Sequence, residues 1–454
     1  MPAPTSALPS VSDEQKAYVL SLAKKQDVKF VRLWFTDVLG FLKSVSITVE
    51  ELGNTLERGQ EFDGSSIEGF ARIDESDMVM MPDPNTFCII PWRPREGGSV
   101  ARMFCDIVET DGTPHAGDSR WVLKRNVERA AELGYTFYVA PELEYYYFRD
   151  SNPPPQGLDE GGYFDLTPMD VASDLRRDTI LTLESMGVGV ESSHHEVSPS
   201  QHEIELRYTD ASTMADNAMT YRLVVKEIAM KFGYHATFMP KPIYGQCGSG
   251  MHTNMSLFRG DKNAFYSGRD RHHLSNTARR FTAGLLRHAA EITLITNQWV
   301  NSYKRLVPGF EAPVYVSWAF RNRSDLIRVP TYKPGRENAM RIELRSPDPA
   351  CNPYLAFAAM LAAGLAGIEN EYELPPAMEE NLYAMTDAER QARNIEQLPE
   401  NLCEAIRAAE RSPLLRECLG DHVFEKYIEN KKIEWETYRA QVTDYELKRY
   451  LPVL

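Results

Sequence analysis

The chain has 454 residues, with 50 lysines and arginines against 65 aspartates and glutamates, which gives a formal net charge of −15. This length is sufficient for a large core and indicates two or more domains. The acidic balance argues against nucleic acid or an anionic membrane as the main partner, and it favours cations such as metal ions and ammonium.

The first 11 residues contain no basic start followed by an apolar run, so we expect no secretory signal. The six cysteines are scattered without a Cys-x-x-Cys pair, and they indicate neither a zinc finger nor a dithiol redox site. Scattered cysteines of this kind fit a reduced cytosol, so we expect a cytoplasmic protein.

The N-terminal region has the pattern of a small α+β domain. Ser12 with Gln15 three residues later forms a capping-box pattern, which predicts the start of a helix. Segment 111–118 contains two glycines and a proline and predicts a domain boundary, which gives one domain at 1–112 and a second at 113–454. Five β-type runs lie in the first domain, at 28–35, 41–47, 78–81, 87–90 and 100–107.

The segment from Phe62 to Phe70 lies between these runs and contains one aspartate, Asp63, next to a glycine and two serines. Composition alone predicts a surface loop here. It assigns the aspartate no role.

The second region contains a strand with two carboxylates on one face. A predicted helix at 121–133 leads to the β-rich run 141–148, in which Glu142 and Glu144 are two residues apart. Successive side chains of a strand point to opposite faces, so both carboxylates project from one face, about 7 Å apart, and can hold adjacent cations. For a single strand, a solvated polar face is the alternative interpretation.

Three further segments repeat this alternation of polar and apolar side chains. Four strands of this kind suggest a sheet whose back lies on a core and whose front lines a charged cavity, which is the candidate active site. The polar members are Glu203 and Glu205 in segment 201–208, His252, Asn254 and Ser256 in segment 251–257, and Arg341, Glu343 and Arg345 in segment 340–345.

Two other stretches could contribute to this cavity. Adjacent His194 and His195 must face opposite ways on a strand, so both cannot bind one ion, and Glu196 is the stronger candidate. Further along the chain, Gly248 and Gly250 allow the backbone to come close to a ligand.

A loop and an arginine cluster follow. Segment 301–313 has a Pro-Gly pair before Glu311 and a proline after it, which is typical of a flap that carries a carboxylate. Arg321, Arg323 and Arg328 come next. In an acidic protein they suggest phosphate or carboxylate binding, because a planar guanidinium binds either group through two hydrogen bonds. A solvated basic face is the alternative.

The C-terminal region is predicted to be helical and to carry little chemistry. Residues 354–368 form the longest apolar run, which is too short and too alanine-rich to span a bilayer and predicts a buried helix. Polar loops are expected within 370–401, and an amphipathic helix at 421–442 is predicted to end the chain.

Carboxylates and one histidine that hold two metal ions, opposite arginines, are typical of phosphoryl transfer from a nucleotide. Oxygen-rich ligand sets favour Mg²⁺ or Mn²⁺ over zinc, and arginines stabilise the charge on the transferred phosphate. The sequence contains no Walker A motif. Another architecture must therefore hold the nucleotide.

Taken together, these motifs resemble those of type I glutamine synthetases. The resemblance covers nearly the whole chain from about Val28, and chance agreement on all motifs in order is negligible. The motifs are Phe62–Ser66, Pro141–Glu144, Gly161–Phe164, His194–Val197, Gly248–His252, Asn301–Pro313, Asn322–Ser324 and Arg341–Arg345.

The resemblance implies a fold, an assembly and a reaction. The expected fold class is α+β, with a small β-grasp-like N-terminal domain and a large α/β catalytic domain whose antiparallel sheet forms an open funnel. The expected assembly is a dodecamer of two hexameric rings, in which neighbouring subunits share each active site. The expected reaction is ATP-dependent synthesis of L-glutamine from L-glutamate and ammonium through γ-glutamyl phosphate, with two or more Mg²⁺ or Mn²⁺ ions per site.

The resemblance also assigns roles to individual residues. It implies that one metal ion is bound by Glu144, Glu196 and Glu203, and the second by Glu142, His252 and Glu343. Glutamate is expected to bind Gly248, Arg305, Glu311 and Arg345, and the phosphates to bind Arg323 and Arg328. The other expected nucleotide contacts are Glu191, Tyr208, Asn254, Ser256 and Arg341. Ammonium is expected to bind Asp63, Ser66, Tyr163, Glu196 and Glu311, with Asp63 of the neighbouring subunit as catalytic base and Glu311 as the flap carboxylate that accepts the last proton.

Some positions bear on substrate contacts and on regulation. Cys247 stands where the family usually has asparagine beside the glutamate amino group. Tyr383 aligns with a tyrosine that is adenylylated in one branch, but different residues follow it, which argues against that modification. Arg72 matches a residue linked to feedback inhibition by glutamine in the α branch, so direct product inhibition is the expected control.

Two alternatives to glutamine synthesis remain at this point. A related γ-glutamyl ligase would use an amine such as a polyamine or ethanolamine. Such relatives tend to lose the ammonium-site aspartate and tyrosine, whereas Asp63 and Tyr163 are present here. The second alternative is a non-catalytic regulatory or structural member of the fold, and the intact set of carboxylates argues against it.

Overall fold

The computed structural model of the protein describes residues 11–69, 77–93, 96–310, 312–322 and 324–454. Three residues with a role expected from the sequence, Arg72, Glu311 and Arg323, lie outside the described residues. Within the described ranges, no helix combines the length and the apolar character needed to cross a membrane.

The N-terminal domain is a six-stranded sheet with two helices. The strand order is β2-β1-β6-β4-β3, with β5 paired to β6. The β1–β6 pair is parallel and the other pairs are antiparallel. The elements are α1 Asp13–Lys25, β1 Val28–Thr36, β2 Leu42–Thr48, α2 Leu52–Arg58, β3 Gln60–Asp63, β4 Asp77–Pro82, β5 Cys88–Ile89 and β6 Ser99–Val108.

Local signals in this domain behave as the sequence predicts, with one exception. The capping box at Ser12 is present, with both reciprocal hydrogen bonds to Gln15. The exception is the predicted loop from Phe62, because Phe62 and Asp63 end strand β3, where they pair with β4. Residues Gly64–Ile67 then form a 3-10 turn that the Asp63 side chain caps by accepting from the Ser65 N–H.

The catalytic domain is built on a ten-stranded sheet in the order β14-β15-β16-β12-β7-β9-β8, with β10 and β11 on β7 and β13 on β12. Only the β14–β15 pair of this sheet is parallel among the described residues. The strands are β7 Thr136–Phe148, β8 Val190–His195, β9 Gln201–Leu206, β10 Thr209–Asp210, β11 His235–Thr237, β12 Met251–Arg259, β13 Lys262–Asn263, β14 Trp318–Ala319, β15 Ile327–Arg328 and β16 Ile342–Leu344.

Twelve described helices accompany this sheet. They are α3 Ser119–Glu132, α4 Ser173–Ser185, α5 Ala211–Lys231, α6 Asn276–Arg287, α7 Ala289–Thr296, α8 Ser302–Arg305, α9 Pro353–Glu369, α10 Asp387–Ala392, α11 Leu402–Glu410, α12 Pro413–Leu419, α13 Asp421–Arg439 and α14 Asp444–Tyr450. Short 3-10 helices lie at Val49–Glu51, Pro84–Thr86, Glu337–Ala339 and Leu382–Ala384.

The back of the catalytic sheet lies on the main hydrophobic core. Leu143, Tyr145, Ile204, Met255 and Leu344 all belong to this core and are at most 1 % exposed. They alternate along their strands with the polar residues described below, as the period-two pattern of the sequence predicts. One face of the sheet is therefore fixed in the core and the other is left for polar side chains.

The predicted apolar helix is α9, which is buried and packs tightly against α6. A Cβ atom at Gly284 of α6 would lie 2.1 Å from the Ala363 carbonyl oxygen of α9. A Cβ atom at Gly367 of α9 would likewise lie 2.0 Å from the Arg280 carbonyl oxygen of α6. Glycine is required at this crossing because the two backbones approach closely.

Buried hydrogen bonds join the N-terminal domain to its own catalytic domain. Arg120 of α3 donates to Asp83 and Asp106 of the first domain, each at 2.7 Å, and to Asp216 of α5 at 3.0 Å. All four charged groups are largely buried. At a second contact, the Asn352 amide donates to the main-chain carbonyls of the turn after β1.

The C-terminal prediction is wrong at its end. The predicted final helix is α13, which stops at Arg439, and α14 follows it. Thr443 caps α14 in a capping box with Glu446. This local signal separates the two helices and could have been read from the sequence.

Candidate active site

Strand register brings most of the predicted polar side chains into one cavity of about 300 Å³. On β7, Glu144 lies opposite Glu203 of β9, and Glu142 lies opposite His252 of β12. On the outer side of β9, His194 of β8 lies opposite Glu203. Residues directly opposite each other in a sheet share a face, so these side chains all reach the front.

The six residues with an expected metal role all line this cavity, namely Glu142, Glu144, Glu196, Glu203, His252 and Glu343. Glu142, Glu203 and His252 present ligand atoms within 4.8 Å of one another, and so do His194, Glu196 and Glu203. Glu203 thus belongs to both close sets. The other two carboxylates already have partners: Glu144 accepts from Gln201 and the Gly250 N–H, and Glu343 accepts from arginines.

Crowding of buried carboxylates changes their protonation. Burial, together with the charges of Glu144 and Glu203, raises the pKa of Glu196 to about 9. Burial raises the pKa of Glu144 to about 7, although Arg305 opposes the shift. Burial and the neighbouring carboxylates also raise the pKa of Glu203 well above its usual value. Ionisation of all these carboxylates is unfavourable while no cation is bound, and a bound cation would stabilise their charged forms.

The ligand chemistry of the cavity fits a hard divalent cation. Burial and the Arg345 charge lower the pKa of His252 well below its usual value, so its ring is neutral and has a lone pair for a metal ion. Carboxylate oxygens with one imidazole suit Mg²⁺ or Mn²⁺. The residues that line the cavity therefore fit the metals expected from the sequence.

Arginines lie beside the carboxylates of the cavity. Arg345 and Arg328 both donate to the carboxylate of Glu343, which is fully buried. The Arg345 Nε is buried and has no hydrogen-bond partner within the described part of the chain. Arg341 donates at 2.8 Å to Asn254, whose amide donates at 2.8 Å to Glu142. A cationic edge thus adjoins the carboxylates.

Arg305 and Gly248 form another part of the wall. Arg305 lines the cavity but is only 2 % exposed, and it donates to the main-chain carbonyls of residues 345–347. A Cβ atom at Gly248 would lie 2.4 Å from the Pro240 carbonyl oxygen, so this position needs glycine. Cys247 also lines the cavity, and its N–H donates to Ser198 and its carbonyl accepts from Tyr146.

Four residues with an expected nucleotide role, Glu191, Tyr208, Asn254 and Ser256, are not among the described residues that line the cavity. They lie towards one end of the sheet. Ser256 pairs with Tyr138 of β7, and the Tyr138 ring contacts Tyr208 edge to face at 5.7 Å. Tyr138 precedes Glu142 by four residues, about 13 Å along the strand. This end of the sheet extends the site beyond the acidic cluster.

The residues with an expected ammonium role are divided between two places. Tyr163 and Glu196 line the cavity. Asp63 and Ser66 lie at the end of β3 in the other domain, and neither is among the described lining residues. The cavity of one chain thus contains only part of this set.

His194 is a cavity residue to which the sequence did not assign a role. Its Nε2 atom lies 3.2 Å from a Glu203 oxygen and its Nδ1 atom 3.4 Å from a Glu196 oxygen. His195 points to the other face, as the alternation predicts, and contacts Asp159. The two-residue spacing between His194 and Glu196 was the available signal, but the contact with Glu203 depends on strand pairing.

Comparison with known families accounts for both domains. Residues 27–110 match the family described as glutamine synthetase, beta-grasp domain, and residues 116–450 match glutamine synthetase, catalytic domain.

Relatives named glutamine synthetase match over nearly the whole chain. The protein from Mycolicibacterium smegmatis is 53% identical over 97% of this chain and 99% of its own length. Those from Thermotoga maritima and Methanosarcina mazei are 50% and 51% identical, over 95% and 97% of this chain and 98% of their own lengths.

Among solved structures, the GmaS/ADP complex superposes with a TM-score of 0.86 at 30% sequence identity, over 96% of this chain and 99% of the other. GmaS without ligand gives a TM-score of 0.85 at the same identity, over 95% of this chain and 99% of the other.

Proposed function

The chain belongs to the glutamine synthetase family, and from this premise we propose how its cavity works. The protein is an ATP-dependent ligase that makes L-glutamine from L-glutamate and ammonium. The observation that carries the residue assignments is one cavity in which buried carboxylates of raised pKa face arginines. We assign the reaction to the cytoplasm, where the six free cysteines would stay reduced.

Two or more Mg²⁺ or Mn²⁺ ions per site are proposed, because the donor set fits them. When bound, they would neutralise the phosphates of ATP and orient the transferred group. We assign one ion to Glu144, Glu196 and Glu203, and the second to Glu142, His252 and Glu343. His194 is close enough to Glu196 and Glu203 to supply a further ligand or to orient them.

In the first step, the γ-carboxylate of glutamate attacks the γ-phosphate of ATP to give γ-glutamyl phosphate and ADP. Arg328 and Arg345 now donate to Glu343, and substrate carboxylate or phosphate oxygens are acceptors of the same kind. These arginines can therefore turn from Glu343 to the substrates as they bind. Arg305 and Gly248 shape the glutamate wall, and Arg323 keeps its assigned role at the phosphates.

Nucleotide contacts are assigned to the end of the sheet beyond the acidic cluster. The exposed ring of Tyr208 offers a surface for stacking, and Glu191 and Ser256 offer acceptors for hydroxyl or amino groups. Arg341 and Asn254 connect this end to Glu142 through their hydrogen bonds.

In the second step, ammonium binds beside Tyr163 and Glu196, where carboxylates favour its charged form. Asp63 and Ser66 reach it from the neighbouring subunit, and Asp63 takes one proton to leave ammonia. Ammonia attacks the acyl carbon and phosphate leaves. Glu311 takes the proton shed by the adduct, and its flap excludes water that would hydrolyse the acyl phosphate.

We propose that the subunits form a dodecamer of two hexameric rings. The separation of Asp63 from its own cavity supports a site completed by a neighbour. An assay of glutamine and phosphate formation from ATP, Mg²⁺ and glutamate, with ammonium or a panel of amines, tests the substrate assignment. Ammonium should be the preferred acceptor. Activity with amines alone would contradict glutamine synthesis.

The metal assignment is tested by Glu203→Gln. We expect a loss of activity larger than the roughly 10–100-fold that partners outside the ligand shell cost. The exposed surface variant Glu57→Gln is the control and should keep full activity. An active Glu203→Gln enzyme would contradict the assignment.

Mixed assemblies test the shared site. Asp63→Ala and Glu203→Gln should each abolish activity when every subunit carries the change. When equal amounts of the two variants assemble at random, about a quarter of the sites combine an intact cavity from one subunit with an intact Asp63 from its neighbour. Activity should therefore return to about a quarter of the wild-type value. Mixed rings as inactive as both parents would show that each site belongs to one chain.

A further inference from the structure

A buried hydrogen-bond network lies behind the acidic cluster, on the opposite face of β8. Asp159 precedes the Gly-Gly-Tyr motif, and its Oδ1 atom accepts from His195 Nε2 at 3.1 Å and from the Ser200 N–H at 2.7 Å. The Ser200 hydroxyl in turn accepts from the N–H groups of Leu158 and Asp159. The segment that carries Tyr163 is thereby attached to the β8–β9 hairpin.

His195 connects this network to Glu196. Its Nδ1 atom lies 2.7 Å from the Glu196 carbonyl oxygen, while Nε2 faces the Asp159 carboxylate. A main-chain carbonyl can only accept, so Nδ1 donates to Glu196. The Glu196 N–H donates to the Gln201 carbonyl at 2.7 Å. Both main-chain polar groups of Glu196 are therefore held, and its side chain is directed into the cavity.

The same contact also holds the tyrosine segment. The Phe164 N–H donates to the His195 carbonyl at 3.2 Å. A Cβ atom at Gly161 would lie 2.7 Å from His195 Nε2, and the backbone of Gly161 is outside the left-handed region. Glycine is thus needed here for the approach of His195 and not for backbone conformation.

By spacing alone, Asp159, His195 and His202 could hold a metal ion. Their hydrogen bonds argue against it. Arg176 donates to His202 Nδ1 at 2.8 Å, since a guanidinium cannot accept, so the proton of a neutral His202 is on Nε2. The Arg176 guanidinium thus occupies the Nδ1 lone pair of His202 and places a positive charge beside this set, so the network is better suited to positioning than to a cation.

We propose that Asp159 is a positioning residue: through His195 it fixes the backbone of Glu196, and through its own segment it fixes Tyr163. Both would then be held in the geometry needed for the metal ion and for ammonium. This inference rests on the proposed function, because it explains how two residues of that site are placed.

Two variants disturb the same contact in different ways. Asp159→Asn removes the charge with little change in size, and Gly161→Ala places a methyl group against His195 while every carboxylate remains. Asp150→Asn is the matched control, because Asp150 is an exposed aspartate near the end of β7 whose carboxylate accepts from the Asn152 N–H. If one variant does not fold, the other still tests the contact.

The first measurement is Mn²⁺ binding to the purified protein without ATP or glutamate, followed by the EPR signal of free Mn²⁺. The second is the KM for ammonium beside the KM for ATP. In both variants we expect the Kd for Mn²⁺ and the KM for ammonium to rise about tenfold or more. At saturating Mg²⁺ the KM for ATP should stay within about twofold of wild type, because the metal site is then filled and the proposed nucleotide residues do not contact this network. Asp150→Asn should match wild type in all three.

Unchanged Mn²⁺ affinity and ammonium KM in the folded variants would overturn the proposal. An equal rise in the KM for ATP would also overturn it, since it would indicate general distortion. If the wild-type protein made no glutamine, the proposed function would fail, and the Mn²⁺ measurement would still report on the contact between Asp159 and His195.

Discussion

Binding of a divalent cation to the acidic cavity should release protons. Glu196, with a pKa raised to about 9 by burial and its neighbours, is almost fully protonated at pH 7, and Glu144, with a pKa of about 7, is about half protonated. A metal ion requires the ionised form, so they should release about one proton and about half a proton per site. Glu203, whose pKa is also raised, adds up to about one more.

The sign of the pH dependence follows from this. A higher pH removes the protons before the cation arrives, so the affinity for the cation should rise with pH. The number of protons released should fall in parallel. By about pH 9 Glu144 should release almost none and Glu196 about half a proton.

Calorimetry of metal-free protein titrated with Mn²⁺ measures this number. Titrations at pH 7 in two buffers of different ionisation enthalpy should give between about 1.5 and 2.5 protons per site. Glu196→Gln should lower the number by about one, and the exposed Glu57→Gln should leave it unchanged. Release near zero, or an affinity that falls as pH rises, would refute the reasoning.

Two further predictions concern stability. Arg120→Met leaves the carboxylates of Asp83 and Asp216 without a cation and Asp106 with Lys124 alone, and it should lower the free energy of unfolding by about 3–5 kcal/mol in chemical denaturation. Arg129→Met breaks more exposed ion pairs and should lower the free energy of unfolding by less than about 1 kcal/mol. Equal losses of stability in the two variants would show that the buried network contributes no more than exposed ion pairs do. Gly284→Ala should lower Tm and cost roughly 1–3 kcal/mol, because the new Cβ overlaps a backbone oxygen of α9. Gly53→Ala has no atom within 4 Å of its Cβ and should leave Tm unchanged or higher, so a neutral Gly284→Ala would mean that the two helices can separate.

The faces of the catalytic strands could be predicted from the sequence, because alternation is a local property. Glu142 and Glu144 share a face of β7, with Leu143 in the core between them. The contact of His194 with Glu203 could not be predicted in this way, because it depends on how β8 pairs with β9. Pairing between strands is set by tertiary packing, which a single sequence does not display.

The network around Asp159 shows a second limit. Asp159 and His195 are 36 residues apart, and their contact depends on a loop that folds back over the hairpin. The motif Gly161–Phe164 begins two residues after Asp159, and alternation along the strand predicts only that His195 faces away from His194, so the sequence alone predicts a partner for neither residue. The role assigned to Asp63 came from the resemblance to a family, because its own sequence context predicts only a polar loop.

The buried bonds of Arg120 and Asn352 have a consequence for assembly. They fix the angle between the N-terminal domain and the catalytic domain within a single polypeptide, before any other copy is present. If the subunits close into a ring, the curvature of that ring is already encoded in each folded monomer. Association of the subunits would then join monomers whose domain angle is already set, and it would not need to change that angle.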